Sequence, residues 1–180
     1  MDALATLDRV ADLTEADWAA VRALSLAVYP PEVAAAWPGG HLEWAKSEWC
    51  VRVWGSEGSL VSYTGIILRQ ASCDGRPARV GGVGGVMTHP AARGRGYAAQ
   101  GIRRAVEFFR EQGDVAIALL VCESGLLEYY GRLGWRAFDG RLLVRQRGQP
   151  ADFTFNRVML HDVNIAAPDS GSIDLLGPPW

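Results

Sequence analysis

Val80–Gln112 reads VGGVGGVMTHPAARGRGYAAQGIRRAVEFFREQ, and this stretch decides the fold. It divides into a glycine-rich strand, a short loop dense in glycine and arginine, and an amphipathic helix. Ala98, Ile102, Ala105, Val106 and Phe109 recur at helical spacing, and Gly113 marks the stop. At the start of such a helix the first backbone N–H groups have no intrahelical acceptor, and the helix dipole adds partial positive charge. Arg93–Ala98 is therefore expected to be an anion site whose ligand carries phosphate. Gly94 and Gly96 let successive N–H groups converge on that phosphate as a backbone nest.

Glycine weakens a strand and marks either a bulge or a close approach by something else. Gly81, Gly82, Gly84 and Gly85 admit two readings. They relieve crowding under the helices, or the strand bends from its neighbour and leaves a slot that a ligand with amides fills like an added strand. Two other phosphate loops compare poorly. A P-loop needs GxxxxGK[ST], and no lysine stands here. Gly94, Gly96 and Ala99 match the dinucleotide pattern G-x-G-x-x-[GA] nominally. That pattern sits at the tip of the first strand of a βαβ unit, whereas His89–Ala92 here separate strand from glycines.

Upstream, Leu4–Val10 reads as a strand and Leu13–Tyr29 as a helix. Thr14 and Asp17 make a capping-box-like start, Trp18, Val21, Leu24, Ser25 and Val28 run down one face, and Pro30-Pro31 ends it. Pro31–Trp37 can form a short second helix before Pro38-Gly39-Gly40. Trp49–Trp54 and Ser59–Arg69 read as strands joined at Gly55–Gly58, followed by a turn at Cys73–Pro77. Downstream, Val115–Val121 is a continuous apolar run expected as a central strand buried on both faces. Leu126–Leu133 reads as a short helix, and Trp135–Arg147 with Phe155–Leu160 as a last pair of strands. The expected class is α+β, with a mixed, mostly antiparallel sheet flanked by helices. Residues 1–162 read as one domain. Residues 163–180 form a tail whose glycine, proline and aspartate suit disorder, while Ile173–Leu176 and Trp180 are apolar enough to dock.

The 180 residues carry a net charge of −2, so no broad nucleic-acid or anionic-membrane footprint is expected. Cys50, Cys73 and Cys122 are odd in number and lack metal-ligand spacing, which favours reduced thiols in a cytoplasm and no metal. No apolar run is long enough to span a bilayer.

Arg93-x-x-Gly96-x-Ala98, after a strand ending Val86-Met87-Thr88, resembles the acetyl-CoA loop [QR]-x-x-G-x-[GA] of the GNAT N-acetyltransferases. A second block, Leu119-Leu120-Val121 followed by Leu126–Trp135 (LLEYYGRLGW), is similar to that family's A-x-x-L-Y-x-x-x-G-[FW]. The two blocks cover Val80–Phe138 in the family's order. The resemblance implies a GNAT fold with a sheet splayed at the cofactor slot, acetyl-CoA as donor and a small-molecule amine as acceptor. Arg93, Gly94, Arg95, Gly96, Tyr97 and Ala98 would then hold the pyrophosphate. Val86 and Thr88 would pair main-chain groups with pantetheine, with Met87 pointing elsewhere. Tyr130 matches the tyrosine that protonates the leaving thiolate. Glu123 stands where the family has asparagine or a small polar residue, and is the first candidate base; His89 reads as a cap or phosphate-side residue.

Length, VGGVGGV, the Tyr130–Trp135 spacing and a final tryptophan also resemble the aminoglycoside 2′-N-acetyltransferase branch. That likeness implies an aminosugar acceptor held by the carboxylate of Trp180 and by Glu32. The acids that the branch carries on the strand and near its end fall at Gly84 and Pro178 here, which leaves a polycation with fewer partners. A non-catalytic acyl-CoA sensor and a dinucleotide-binding protein are the alternatives, and a homodimer is left open.

Overall fold

The computed structural model describes residues 4–56 and 58–180. The chain opens with β1 (Leu4–Arg9), α1 (Glu15–Val28) and α2 (Pro31–Ala35). Thr14 and Asp17 cap α1 reciprocally: the Thr14 hydroxyl accepts from the Asp17 N–H at 3.2 Å, and the Asp17 carboxylate accepts from the Thr14 N–H at 2.9 Å. Three antiparallel strands follow, β2 (Trp49–Trp54), β3 (Leu60–Cys73) and β4 (Arg76–Thr88). The turn expected at Gly55–Gly58 includes Glu57, which lies outside the described residues. Asp74 and Gly75 turn the β3–β4 hairpin with φ of 48° and 76°, the two-residue geometry that Asp-Gly favours. Next come α3 (Tyr97–Glu111), β5 (Val115–Cys122) and α4 (Leu127–Gly131). As its apolar run suggests, β5 is interior, parallel to β4 and antiparallel to β9 (Arg157–Asp162).

The C-terminal third differs from the expected single pair of strands. Trp135–Arg147 is broken into β6 (Arg136–Ala137) and β7 (Arg141–Gln146). Phe138, only 4% exposed, turns into the core between them. Gly140 lies so close to the Phe138 ring and the Gly171 carbonyl that a Cβ would not fit. β6 pairs with β9, while β7 pairs with β8 (Gln149–Asp152) and runs parallel to β10 (Ser172–Asp174). β10 was not expected as a strand; it adds to the far end of β3. One sheet results, along the path β6-β9-β5-β4-β3-β10-β7-β8, with β2 also on β3 and β1 on β2.

That path has to curl. Residues 138–140 alone join β6 to β7, and 153–156 alone join β8 to β9, although these strands lie toward opposite ends of the path. Chain spans at most ~3.6 Å per residue, so the ends of the sheet come close to one another. The sheet is a half-barrel, and this is an α+β fold with helices on its flanks. Ile67, Val80, Ile117, Leu119, Leu160, Ile173, Leu175 and Trp180 pack together in one core, which holds the inner side of the curl. Val83, Ile102, Val106, Phe109, Ala118 and Leu120 form a second between sheet and α3.

The glycines of β4 serve both readings of the sequence. Gly81 lies against Phe109 and Gly82 against Trp180, so close that a Cβ at either would collide with the ring. These two relieve crowding on opposite faces. Gly85 does the bending: its φ is 58°, and it sits where the β3–β4 register slips between Tyr63 and Gly65, a bulge that left-handed glycine permits.

Arg52 is a buried cation, 6% exposed, held between Asp8 at 3.1 Å and Asp17, with its guanidinium 5.2 Å from the Trp54 ring centre. Hydrogen bonds from Thr14, then from Arg52, lower the Asp17 carboxyl to about 2 from the ordinary 3.8. A depressed carboxyl contributes stability above its unfolded value and loses it as pH falls through the folded one. Asp17→Asn should therefore lower Tm at pH 7, and thermal melts should show the gap from wild type closing as pH falls from about 4 toward 2.

Candidate functional site

The last β4–β5 pair is Val83 with Leu120. Beyond it β4 runs on to Thr88 and β5 to Cys122 without meeting again. Each strand keeps its outer neighbour. The His89 N–H donates to the Val61 carbonyl at 2.9 Å, and the Ser62 hydroxyl donates to the Met87 carbonyl at 2.7 Å. On the other arm Val121 and Cys122 still pair with Val158 and Arg157. Because main-chain groups alternate sides along a strand, those of Val86 and Thr88 are left facing the open side. The Met87 side chain points the other way, buried with Val21, Leu24, Cys50 and Tyr63 beneath α1.

The loop from β4 to α3 lies beside this fork. Gly94 and Gly96 have φ of 76° and 82°, and Gly96 caps α3 with no side-chain acceptor on the first-turn N–H groups. Arg93 reaches back, its Nε donating to the Thr88 carbonyl at 3.4 Å. The Arg93 and Arg95 side chains are exposed, Tyr97 and Ala98 half-buried. Open N–H groups, dipole and guanidinium groups thus lie together, as an anion site requires. His89 accepts from the Ala91 N–H at 3.3 Å and acts as a cap.

A cavity of about 280 Å³ opens at the fork. Val86 and Thr88 form one wall, Arg93 and Ala98 the anion side, Tyr129, Tyr130 and Leu126 the opposite wall, and Val28, Tyr29 and Val33 the mouth. Five sequence-predicted residues, Val86, Thr88, Arg93, Ala98 and Tyr130, thus line one space. Glu123, exposed at the end of β5, does not line it, although its charge reaches the Tyr29 phenol. Glu32 is exposed on α2 one residue from the lining Val33. Trp180 is 5% exposed; its indole is buried, and its main-chain carbonyl carbon lies 3.1 Å from where a Gly84 Cβ would stand.

Val28, Tyr29, Val33, Leu126 and Tyr129 line the cavity without having been expected there from the sequence. Tyr29 carried a signal: a large aromatic at a helix end fixed by Pro30-Pro31 has no helical neighbours to bury it, and it is 46% exposed.

Burial sets the protonation states. Tyr130 packs against Tyr129 at 5.2 Å and Trp135 at 6.5 Å between ring centres. Desolvation, then Cys122, Tyr129 and Tyr29, raise its phenol above the usual range. Tyr29 is raised too, mainly by burial, with Arg93 opposing and Glu123 adding. The neighbouring Cys122 thiol is pushed up to about 11, mainly by burial. The phenols of Tyr29 and Tyr130 and the Cys122 thiol are thus held in their neutral forms, while Arg93 supplies the positive side of the cavity.

Among the described residues no group of three or more His, Cys, Asp or Glu is arranged to hold a metal ion, and no helix is long and apolar enough to cross a membrane.

The profile of the acetyltransferase (GNAT) domain matches residues 9–138, from the end of β1 past the second wall of the cavity. No curated protein matches the sequence significantly. Among solved structures, ElaA of Escherichia coli is 16% identical with a TM-score of 0.62, over 89% of this chain and 100% of that one. The GNAT family N-acetyltransferase YhbS of Escherichia coli, solved with CoA, is 17% identical with a TM-score of 0.61, over 96% and 89%. A GNAT family acetyltransferase of Brucella melitensis, solved with acetyl-CoA, is 16% identical with a TM-score of 0.57, over 94% of each chain. The half-barrel is the GNAT fold, and the chain belongs to the GNAT acetyltransferase family.

Gly96→Ala puts a side chain where φ is 82°. It should cost roughly 1–2 kcal/mol of stability, read from chemical denaturation.

Proposed function

We propose that the protein is an acetyl-CoA-dependent N-acetyltransferase acting by direct attack of a small primary amine in a ternary complex. One observation carries this reading: the open fork, the glycine loop and Tyr130 converge on a single cavity. The donor supplies an activated acetyl group as a thioester. Amides of Gly94–Ala98, with Arg93 and Arg95, bind its pyrophosphate, and main-chain groups of Val86 and Thr88 orient the pantetheine amides.

The amine lone pair attacks the thioester carbon, the C–S bond breaks, and sulfur leaves with the electron pair. Tyr130 gives its proton to that sulfur and recovers one from the proton that the amine loses. A raised phenol is a weaker acid than free tyrosine, which would hinder transfer to a solvated thiolate. The leaving sulfur is not solvated, however. Burial also makes a thiolate more basic, the direction seen at the nearby Cys122 thiol. Both shifts run upward, so a more basic thiolate would partly offset the weaker acidity of the phenol.

Attack also needs a neutral amine. Glu123 is the proposed base, acting through water, since its carboxylate stands outside the cavity wall. Tyr29 lines the cavity and interacts electrostatically with Glu123 and with Tyr130, which makes its hydroxyl the proposed carrier of that proton. The candidate anions for the acceptor are Glu32, Glu123 and the Trp180 carboxylate; Glu32 is one residue from the lining Val33, and neither Glu123 nor Trp180 lines the cavity. That set suits an amine with one or two positive charges, such as an aminosugar, better than a highly charged aminoglycoside, because other acids are already committed. Asp174 holds Arg145 at 2.9 Å, and the Glu43 carboxylate accepts from the Arg147 N–H. A cytoplasmic location fits the buried free thiols Cys50 and Cys122.

Thiol release from acetyl-CoA over a panel of amines tests the assignment. Turnover with an aminosugar or another small amine is the expected result; protection of acetyl-CoA with no thiol released would make the protein a sensor. Tyr130→Phe should lower kcat about 10²–10³-fold, within the usual range for a general acid, with the Kd for CoA changing less than threefold. Unchanged kcat would remove Tyr130 from the chemistry. A thermal shift with NAD but not CoA would favour the dinucleotide reading.

A further inference from the structure

Trp180, 5% exposed, is held from two strands at once. Its indole lies on the inner side of the curl under Gly82, with no room for a Cβ between them. Its Nε1–H donates to the Leu119 carbonyl at 3.0 Å in a buried bond. Gly82 and Leu119 are partners in the β4–β5 ladder, one pair before it ends at Val83 and Leu120. One side chain therefore touches both strands at the base of the fork: β4 through the ring face, β5 through a hydrogen bond.

The segment carrying Trp180 is fastened on three further sides. The Arg69 guanidinium of β3 stacks over the indole at 5.1 Å and donates to the Pro178 carbonyl. The Arg145 N–H of β7 donates to the Gly177 carbonyl at 2.8 Å, and the Ala45 N–H to the Pro179 carbonyl at 2.6 Å. None of these contacts reaches the cavity, whose lining does not include Trp180.

We propose that Trp180 is a positioning residue, a pin that fixes where β4 and β5 part and so sets the spacing of the slot between Val86–Thr88 and Tyr130. The proposal rests on the cofactor reading for its functional consequence but not for its mechanical one. Gly82 is then the matching socket, glycine because the pin lies against it. The Leu119 carbonyl is the anchor, which a phenylalanine ring cannot engage.

Trp180→Phe keeps an apolar ring and removes the donor. The comparison is Ile173→Val, a small cavity in the same core on β10, a strand that pairs with β3 and β7 and not with β4 or β5. Two measurements on folded protein separate pinning from general loosening. In ligand-free protein, amide hydrogen exchange over residues 80–88 and 115–122 should be at least about tenfold faster in Trp180→Phe than in Ile173→Val at matched distance below each Tm. By calorimetry, the Kd for CoA per folded molecule should rise about tenfold in Trp180→Phe and less than twofold in Ile173→Val. Gly82→Ala, which pushes the ring from the other strand, should loosen the same two segments and serves if Trp180→Phe folds poorly. Equal exchange in the Trp180 and Ile173 variants overturns the pin. Faster exchange with unchanged CoA affinity overturns its role in the slot. If wild-type protein does not bind CoA, the proposed function falls, and the exchange result still decides whether Trp180 holds the fork.

Discussion

The site depends on a ladder that stops. β4 and β5 are parallel neighbours as far as Val83 and Leu120 and then diverge. A fork inside a sheet ordinarily leaves main-chain groups unpaired on both arms, at ~1–3 kcal/mol for each group left buried. Here the loss is confined. β3 holds one arm through Met87 and His89, and β9 holds the other through Val121 and Cys122. Only the inward groups remain, and they face a cavity where water or a ligand with amides can satisfy them. The Gly85 bulge turns the arm outward, and β3, the longest strand, extends past the fork in both directions, pairing with β2 at one end and β10 at the other.

Holding the fork open makes demands far from it. A sheet curled through connectors as short as 138–140 has an inner side to fill, and the filling decides which residues β4 can carry. Gly81 meets Phe109 from outside and Gly82 meets Trp180 from inside, so the strand is glycine-rich because two bulky rings press on it from opposite faces. β10 then serves a double purpose. It closes the gap between β3 and β7, and it delivers the segment whose last side chain reaches the base of the fork.

This division explains what the sequence disclosed. The signals that could be read were those in which cause and effect sit within a few residues. Thr14 and Asp17 satisfy each other's backbone, Gly94 and Gly96 have left-handed conformations at a helix start, and the Val115–Val121 run has no polar face. The fork was legible because four glycines in six positions are hard to accommodate in an undisturbed strand. Their division of labour was not, since the reason for Gly82 is a tryptophan nearly a hundred residues away. Likewise β10 has only three residues, too few for the alternation of Ser172, Ile173 and Asp174 to betray it, and the break at Phe138–Gly140 brings Gly140 against Gly171, which only the folded chain places near. Of the cavity, the loop and Tyr130 were written in a local pattern. Tyr29 and Val33 reach it from α1 and α2 by tertiary packing alone.

The chemistry of the cavity follows from the same burial that shapes it. Tyr29, Tyr130 and Cys122 are all shifted toward their neutral forms, chiefly by desolvation. A site that disfavours charge on its walls also disfavours charge on its guests. Under the proposed amine acetylation, an ammonium entering it would lose hydration and become more acidic, closer to the free amine that attack requires. A thiolate leaving within it becomes more basic, which brings its proton affinity closer to that of a buried phenol. In the proposed reaction, desolvation would favour the neutral forms of both the amine and the thiol. Glu123 is exposed just past the end of β5 and does not line the cavity, so the base role proposed for it needs water to connect it to an amine.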